Sequence, residues 1–152
     1  MKKTLSILTI ALFVFVSLSF VQSNSKDSEL LEIKLSKSIN SGVWGEWNTT
    51  SCFKGLDFRV KKKSTSTEGK YEWLVQFRNR YNEKIVFMYE MVPYNERHAI
   101  ENSGRTTNYV DLKANYTESS THYRYLNESN SVYVYINKVR FGGSSNYAEC
   151  DK

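Results

Sequence analysis

Apolar and polar residues alternate with a period of two along several stretches of this chain. Leu56, Phe58 and Val60 are separated by charged residues, and Trp73 and Val75 belong to a second run of the same kind. Successive side chains of a strand point to opposite faces, so this pattern predicts strands that bury one face. Predicted strands cover residues 31–35, 43–48, 56–63, 71–79, 83–92, 107–113, 121–126 and 131–141, of which 43–48 has the weakest pattern. Seven or eight short strands without a clear amphipathic helix predict an all-β fold, an antiparallel β-sandwich, with a small β-barrel as the alternative.

The registers of two hairpins follow from requiring that apolar partners share a face. The first register pairs Val60 with Trp73. The second pairs Phe77 with Ile85 across a three-residue turn in which Asn82 takes the left-handed conformation. We therefore predict that strands 56–63, 71–79 and 83–92 form a meander.

The first 23 residues have the composition of a secretory signal peptide. Two lysines follow Met1, and a nearly continuous apolar run at residues 5–20 leads to small or medium-sized residues that end at Ser23. The run has about 16 residues, fewer than the roughly 20 of a membrane span, which favours cleavage after Ser23 over a retained helix. An N-terminal segment, 24–42, and a single domain, 43–152, then remain. We predict a bacterial protein that is secreted or periplasmic and has no stable membrane anchor.

Cys52 and Cys150 are the two cysteines of the chain. An even pair in an exported protein is typical of one disulfide, which here closes a loop of about a hundred residues. Free thiols and a redox pair are the alternatives. Neither cysteine lies in a Cys-x-x-Cys motif, so a structural bond is favoured over redox chemistry.

Trp44 and Trp47 come shortly before Cys52. With the alternating strands and the paired cysteines, they are similar to the immunoglobulin-like architecture, in which an indole packs against the disulfide. The resemblance implies an immunoglobulin-like antiparallel β-sandwich with at least one of these tryptophans in the core. It carries no functional residues to this chain, and Trp44 is kept as a candidate ligand-stacking residue.

The charge of the chain is mildly basic. It has 21 Lys and Arg against 16 Asp and Glu, a net charge of +5, and removing residues 1–23 takes away two lysines and no acid, which leaves +3. This small excess, together with export, argues against nucleic acid as a partner. We interpret the cations around the first hairpin as a solvated edge that discourages strand pairing between molecules, with an anion site as the alternative. These cations are Lys54, Arg59, Lys61, Lys62, Lys63, Lys70, Arg78 and Arg80.

No pattern in the sequence predicts catalysis, a metal site or a cofactor. The two histidines are His98 and His122, and no serine lies in a Gly-x-Ser-x-Gly elbow. Zinc needs three or four ligands at short spacing, and no acidic loop has the spacing of a calcium site. We predict a protein that is not an enzyme and has no cofactor. If it is instead a small hydrolase, His98 and His122 are the residues to mutate first.

Tyrosine is the unusual part of the composition, with eleven residues in the chain. Pairing strand 121–126 with residues 131–137 as a hairpin places Tyr123 opposite Tyr135 and Tyr125 opposite Tyr133, which puts four rings on one face. An outward-facing set of this kind is a flat platform on which a sugar ring or a protein surface can stack. Alternatively, the rings pack a second interface or simply cover a sheet face. The residues then predicted to face the core are Leu126, Val132, Val134 and Ile136.

These features predict a secreted binding or adhesion domain that recognises a carbohydrate or a protein at the cell surface through aromatic side chains. The alternative function is an inhibitor or protective protein that blocks an extracellular enzyme. Its contact surface would combine the polar segment 94–105, predicted to be a surface loop, with an apolar patch of Leu74, Val86 and Met88. The predicted ligand-binding residues are Tyr109, Tyr123, Tyr125, Tyr133, Tyr135 and Trp44.

Overall fold

The computed structural model of the chain describes residues 28–34, 42–63, 69–119, 121–127 and 130–150. The predicted signal peptide, its cleavage site and most of segment 24–42 lie outside the described residues. The elements in chain order are β1 (Ser28–Lys34), β2 (Asn48–Thr49), β3 (Leu56–Lys63), β4 (Tyr71–Asn79), β5 (Ile85–Val92), a 3-10 turn (Tyr94–Glu96), α1 (Arg97–Ser103), β6 (Asn108–Leu112), β7 (His122–Leu126) and β8 (Ser131–Phe141).

The strands form two antiparallel sheets of four strands each. Sheet A has the order β1-β8-β5-β6, and sheet B has the order β2-β3-β4-β7. The predicted all-β sandwich of seven or eight strands is confirmed. The barrel alternative is wrong, because over the described ranges no strand of one sheet pairs with a strand of the other.

Alternate side chains from the two sheets meet in the core. Trp73 and Phe77 of sheet B and Phe87 and Tyr89 of sheet A are buried. The ring of Phe77 lies 4.9 Å from the ring of Phe87 and 4.9 Å from that of Tyr89, both in edge-to-face geometry, an arrangement that stabilises beyond area burial alone. The prediction for the core-facing residues of the last two strands is confirmed. All four are in this core: Leu126, Val132, Val134 and Ile136.

In the β3–β4 hairpin each side chain lies on the predicted face of the sheet, but the two strands pair in a different register. Val60 lies opposite Val75 and not Trp73, a shift of two residues. The observed pairing runs out to Lys63 and Glu72, whose charged groups are 3.2 Å apart. A shift of two keeps every side chain on its own face, so the apolar pattern cannot distinguish the two registers.

The predicted meander is wrong at its second turn. β4 and β5 belong to different sheets, so Phe77 and Ile85 are not strand partners. Asn79 supports the crossing, since its Nδ2 donates to the carbonyl oxygens of Glu83 and Lys113, each at 2.8 Å. Within the described ranges, the residues other than glycine with positive φ are Asn115 and Lys138, and Asn82 is not among them.

Residues 94–103 form the 3-10 turn and α1 within the segment 94–105, where a loop was predicted. Ile100 is buried against Val92, Tyr133 and Tyr135 on the outer face of sheet A. Gly104 ends the helix at φ 58° and donates its N–H to the Ile100 carbonyl at 2.9 Å, a conformation that suits glycine. The sequence did not predict this helix because Ala99 and Ile100 are its only apolar residues, which are too few for an amphipathic pattern.

The predicted disulfide between Cys52 and Cys150 is confirmed, with 4.6 Å between the two Cα atoms. It joins the segment between β2 and β3 to the segment after β8. The free-thiol and redox alternatives are thereby set aside. Within the described part of the chain, no helix combines the length and hydrophobicity needed to cross a bilayer.

Two predictions about apolar residues are wrong. Trp44 and Trp47 are only half-buried and lie outside the core. Their segment runs beside β3 at the edge of sheet B, where strand pairing begins only at Asn48, so the predicted strand 43–48 is not formed. The two indoles pack on cations of the outer face instead of entering the sandwich. Leu74 and Val86 lie on strands of different sheets, and both are buried. They therefore do not form one contact patch with Met88.

Candidate functional site

The tyrosines predicted to form one platform are divided between two sheets. β7 pairs with β4, while β8 pairs with β1 and β5, so the predicted β7–β8 hairpin is wrong. Tyr133 and Tyr135 are only 7% and 3% exposed, because α1 covers them. Tyr123 and Tyr125 are 63% and 52% exposed. Only the last two, called the tyrosine pair below, are available for contact.

The tyrosine pair lies on β7, at one edge of sheet B. The ring centroids of Tyr123 and Tyr125 are 5.8 Å apart, with the ring planes inclined at 70°. Alternate residues of a strand share a face, so both rings project from the outer face of the sheet. Two rigid apolar surfaces with hydroxyl groups at their ends are thus presented side by side.

Tyr109, also predicted as a site residue, lies elsewhere. It is 53% exposed on β6, opposite Met88, and belongs to the outer face of sheet A. There it borders a depression of about 210 Å³ together with Tyr147. Tyr109 is therefore separate from the tyrosine pair.

Trp44 and Trp47 pack against cationic side chains of sheet B. The guanidinium carbon of Arg59 lies 4.9 Å from the Trp44 ring centroid and 4.6 Å from that of Trp47. Lys61 Nζ is 4.7 Å from Trp44, and the guanidinium carbon of Arg78 is 4.4 Å from Trp47. The cations and indoles thus alternate, a geometry that orients the charged groups.

A cleft of about 580 Å³ opens beside the tyrosine pair. β6 begins at Asn108, opposite Tyr89, whereas β5 continues to Val92, so the last residues of β5 have no β6 partner. One side of the cleft is formed by α1 and the segment before β6. The other side is formed by Tyr123 and Arg124 of β7. The cleft therefore exists because one strand is shorter than its neighbour.

Glu90 fixes the polar groups of the cleft. Its Oε2 accepts hydrogen bonds from Oγ1 of Thr107 at 2.6 Å and from Nδ2 of Asn108 at 3.2 Å. Its Oε1 accepts a hydrogen bond from Nη1 of Arg124. Since both oxygens are engaged, Glu90 is suited to positioning Arg124, and less suited to acid–base or nucleophilic catalysis.

Other ionisable groups around the cleft are also held in place. Nη2 of Arg124 is 3.6 Å from Oε2 of Glu96, so Arg124 bridges two carboxylates. Tyr89 lines the floor of the cleft, and burial raises the pKa of its hydroxyl, with a further contribution from the charges of Glu90 and Glu118. The phenol therefore stays protonated at neutral pH.

The two histidines lie in different parts of the structure and do not form one site. His98 Nδ1 is 3.7 Å from Glu101 on the exposed side of α1. His122 Nε2 is 2.9 Å from Glu118, and its ring packs 5.3 Å from that of Tyr89. Among the described residues, no three His, Cys, Asp or Glu side chains come close enough to hold a metal ion.

Sequence reasoning missed Glu90, Arg124 and the other polar residues of the cleft. Their signal was weak but present: Glu90 interrupts a strand that is otherwise apolar, and Arg124 separates the two exposed tyrosines. A charged residue inside a buried strand requires a partner. The sequence does not say that this partner comes from β7.

Asp57 is the most buried charged group of sheet B, with a side chain that is 0% exposed. Its Oδ2 accepts hydrogen bonds from Arg78 Nε at 2.8 Å and Arg80 Nε at 2.7 Å, and Oδ1 accepts one from the Thr49 hydroxyl at 2.7 Å. Burial alone raises the pKa of Asp57, but the hydrogen bonds from Arg80, Thr49 and Arg78 outweigh it and hold the pKa below the usual 3.8.

This depressed pKa predicts acid sensitivity. The unfolded carboxyl titrates near 3.8, so the stabilisation from Asp57 is fully present above that pH and is lost as the pH falls through the lower folded value. Urea midpoints measured from neutral pH into the acid range should fall more steeply for the wild-type protein than for Asp57→Asn. Parallel curves for the two proteins would contradict the prediction.

The fold and the site together define a disulfide-linked β-sandwich with an edge cleft and an exposed tyrosine pair. No family model, curated protein or solved structure matches the chain. Since a fold does not specify a function, the function must follow from the chemistry of the site.

Proposed function

We propose that this chain is an exported, non-catalytic carbohydrate-binding protein, in which sugar rings stack on Tyr123 and Tyr125 and polar groups of the cleft orient them. The observation that carries the proposal is the exposed tyrosine pair at the rim of the cleft. Tyrosine buries a large flat surface on binding and loses little rotamer entropy. Such rings suit the apolar face of a sugar, with the phenol oxygens free to hydrogen-bond its hydroxyl groups.

The cleft supplies the directional contacts that stacking lacks. Ligand sites combine apolar walls with a few positioned polar groups, and volumes of about 300–1,000 Å³ are typical. Here Arg124 and Asn108 are held by Glu90, and Tyr123 belongs both to the cleft and to the exposed pair. A ligand on the tyrosine pair therefore lies beside polar groups that Glu90 already holds in place.

Export is supported by two independent features. The first 23 residues match a signal peptide in composition. The disulfide between Cys52 and Cys150 requires an oxidising compartment, such as the periplasm or the cell exterior. Polysaccharides of the cell surface are within reach of a protein in either place.

Replacing both residues of the pair, Tyr123→Ala with Tyr125→Ala, should weaken glycan binding about tenfold or more, since each stacked ring contributes about 0.5–1.5 kcal/mol. Both side chains are exposed, so the melting temperature should change little. A panel of soluble oligosaccharides identifies the sugar, and titration calorimetry then measures its affinity for each protein.

The matched control is Tyr109→Ala with Tyr147→Ala, which removes two exposed rings from the region of sheet A. This control should bind as the wild-type protein does. Equal affinities for all three proteins would exclude the tyrosine pair as the site. Capture of a stoichiometric protein partner, with no glycan bound, would instead favour the inhibitor function.

A further inference from the structure

The outer face of sheet B carries more cations than carboxylates among its described residues, and the tyrosine pair lies on this same face. Strand register places Lys61 opposite Leu74, and Leu74 opposite Tyr123, in one row across β3, β4 and β7. Neighbouring strands are about 4.8 Å apart, so Lys61 and Tyr123 are separated by about 10 Å. A chain of a few sugar units is long enough to contact both.

Most charged groups of this face are paired with one another. Arg78 and Arg80 pair with Asp57, and Lys63 pairs with Glu72. These contacts engage Asp57 and Glu72, the two carboxylates that the strands of sheet B contribute. The cations that remain are therefore the ones available to a ligand.

Arg59 and Lys61 are those remaining cations. Arg59 donates from Nε to Gln76 Oε1 at 2.8 Å, which engages only one edge of the guanidinium. Among the described residues, neither Arg59 nor Lys61 has a carboxylate within ion-pair distance. Their contacts with Trp44 and Trp47 hold the charges in position without neutralising them.

The tryptophans make this arrangement rigid. The Gly45 N–H donates to the Val60 carbonyl at 2.9 Å, and Trp44 forms an isolated bridge with Lys61, so the segment is fastened to β3. A guanidinium stacked on an indole still directs its remaining N–H groups outward in its own plane. That fork is complementary to a carboxylate or a sulfate.

We propose that the ligand of this face is an acidic polysaccharide, whose carboxylate or sulfate groups bind Arg59 and Lys61 while neighbouring sugar rings stack on the tyrosine pair. The inference rests on the carbohydrate-binding function proposed above and specifies its ligand class. Charge complementarity favours an anionic polymer. The disulfide favours a polymer outside the cytosol over a nucleic acid.

The test compares neutral and acidic polymers. Dextran sulfate and unmodified dextran share a backbone and differ in charge, and polygalacturonate supplies carboxylates in place of sulfates. Single-stranded DNA is an anionic polymer of another class, whose bases can also stack on aromatic side chains. We expect both acidic polysaccharides to bind more tightly than dextran, and their affinity to fall as salt is raised. Tight binding of the sulfated polymer alone, or of the carboxylated polymer alone, identifies which acidic group is recognised and supports the inference.

A charge-matched pair of variants separates a specific site from general attraction. Lys61→Gln should weaken binding of the acidic polysaccharide about tenfold, as expected for loss of one charge-assisted hydrogen bond. Lys113→Gln removes the same charge from an exposed position after β6 and should leave the affinity nearly unchanged. If Lys61→Gln destabilises the fold, Arg59→Lys provides a second test, because it keeps the charge but loses the planar fork.

Four outcomes overturn the inference. If neither dextran sulfate nor polygalacturonate binds more tightly than dextran, the acidic ligand is wrong but the carbohydrate-binding function still stands. If Lys61→Gln and Lys113→Gln lose the same affinity, the net charge of the protein and not a specific site accounts for binding. DNA that binds as tightly as the acidic polysaccharides makes the ligand class wrong. Failure to bind any polymer or any sugar of the panel removes the proposed function as well.

Discussion

Replacing Cys52 and Cys150 together by alanine is expected to lower the free energy of unfolding by about 4 kcal/mol. The two residues are 98 positions apart, and in the chain-entropy model a loop of about 100 residues restricts the unfolded chain by up to about 4.7 kcal/mol. Loss of one disulfide typically removes about 2–5 kcal/mol in small exported domains. Urea denaturation of the variant and of the wild-type protein, both in non-reducing buffer, measures the difference.

The reduced wild-type protein is the control for the double variant. Reduction breaks the same bond without removing either sulfur, so both samples should unfold at nearly the same urea concentration. The dependence of unfolding free energy on urea should also be steeper without the bond, because the unfolded chain then exposes more surface. An unchanged midpoint after complete reduction would contradict the prediction.

Replacing Asp57 by alanine is expected to lower the free energy of unfolding by about 3 kcal/mol, because breaking a buried ion pair typically destabilises by about 3–5 kcal/mol. The lower end applies here, since the side chains of Arg78 and Arg80 are 33% and 48% exposed and water can solvate them once the carboxylate is gone. Equilibrium unfolding in urea at neutral pH measures the loss.

Asp111→Ala is the matched control. Asp111 pairs with Lys84 at 2.8 Å, but both side chains are more than a third exposed, and such surface pairs are worth about 0–1 kcal/mol. The same substitution should therefore have a small effect at position 111 and a large one at 57. Similar losses at both positions would mean that the arginines around Asp57 contribute little to stability.

The period-two pattern predicted the strands well, but it constrains only which side chains share a face. Val60 faces the core in both the predicted and the observed register of β3 and β4, because the two registers differ by two residues. In the same way, Phe77 and Ile85 face the core whether their strands form a hairpin or cross between the sheets. Side-chain alternation is a property of a single strand, and it does not specify which other strand pairs with it.

The candidate site was only half predictable for the same reason. All four tyrosines of β7 and β8 are predicted site residues, and the sequence leaves open whether they face outward. Tyr123 and Tyr125 are exposed, whereas Tyr133 and Tyr135 are buried. The sequence of β8 is apolar on both faces from Val132 to Ile136. This pattern is typical of a strand that is buried on both faces. The missing information was that α1, a polar segment with one buried isoleucine, covers that second face.

The amino-acid sequence by itself determined the β-sandwich class, the core-facing residues and the cysteine pair, because side-chain alternation and cysteine parity are properties of neighbouring residues or of simple counts. Only the tertiary structure decided which strands pair, which tyrosines α1 covers, and that Glu90 meets Arg124 from 34 residues away. Those outcomes depend on long-range packing between elements whose local patterns permit several arrangements. In the observed arrangement the apolar faces are buried and the buried charges are paired.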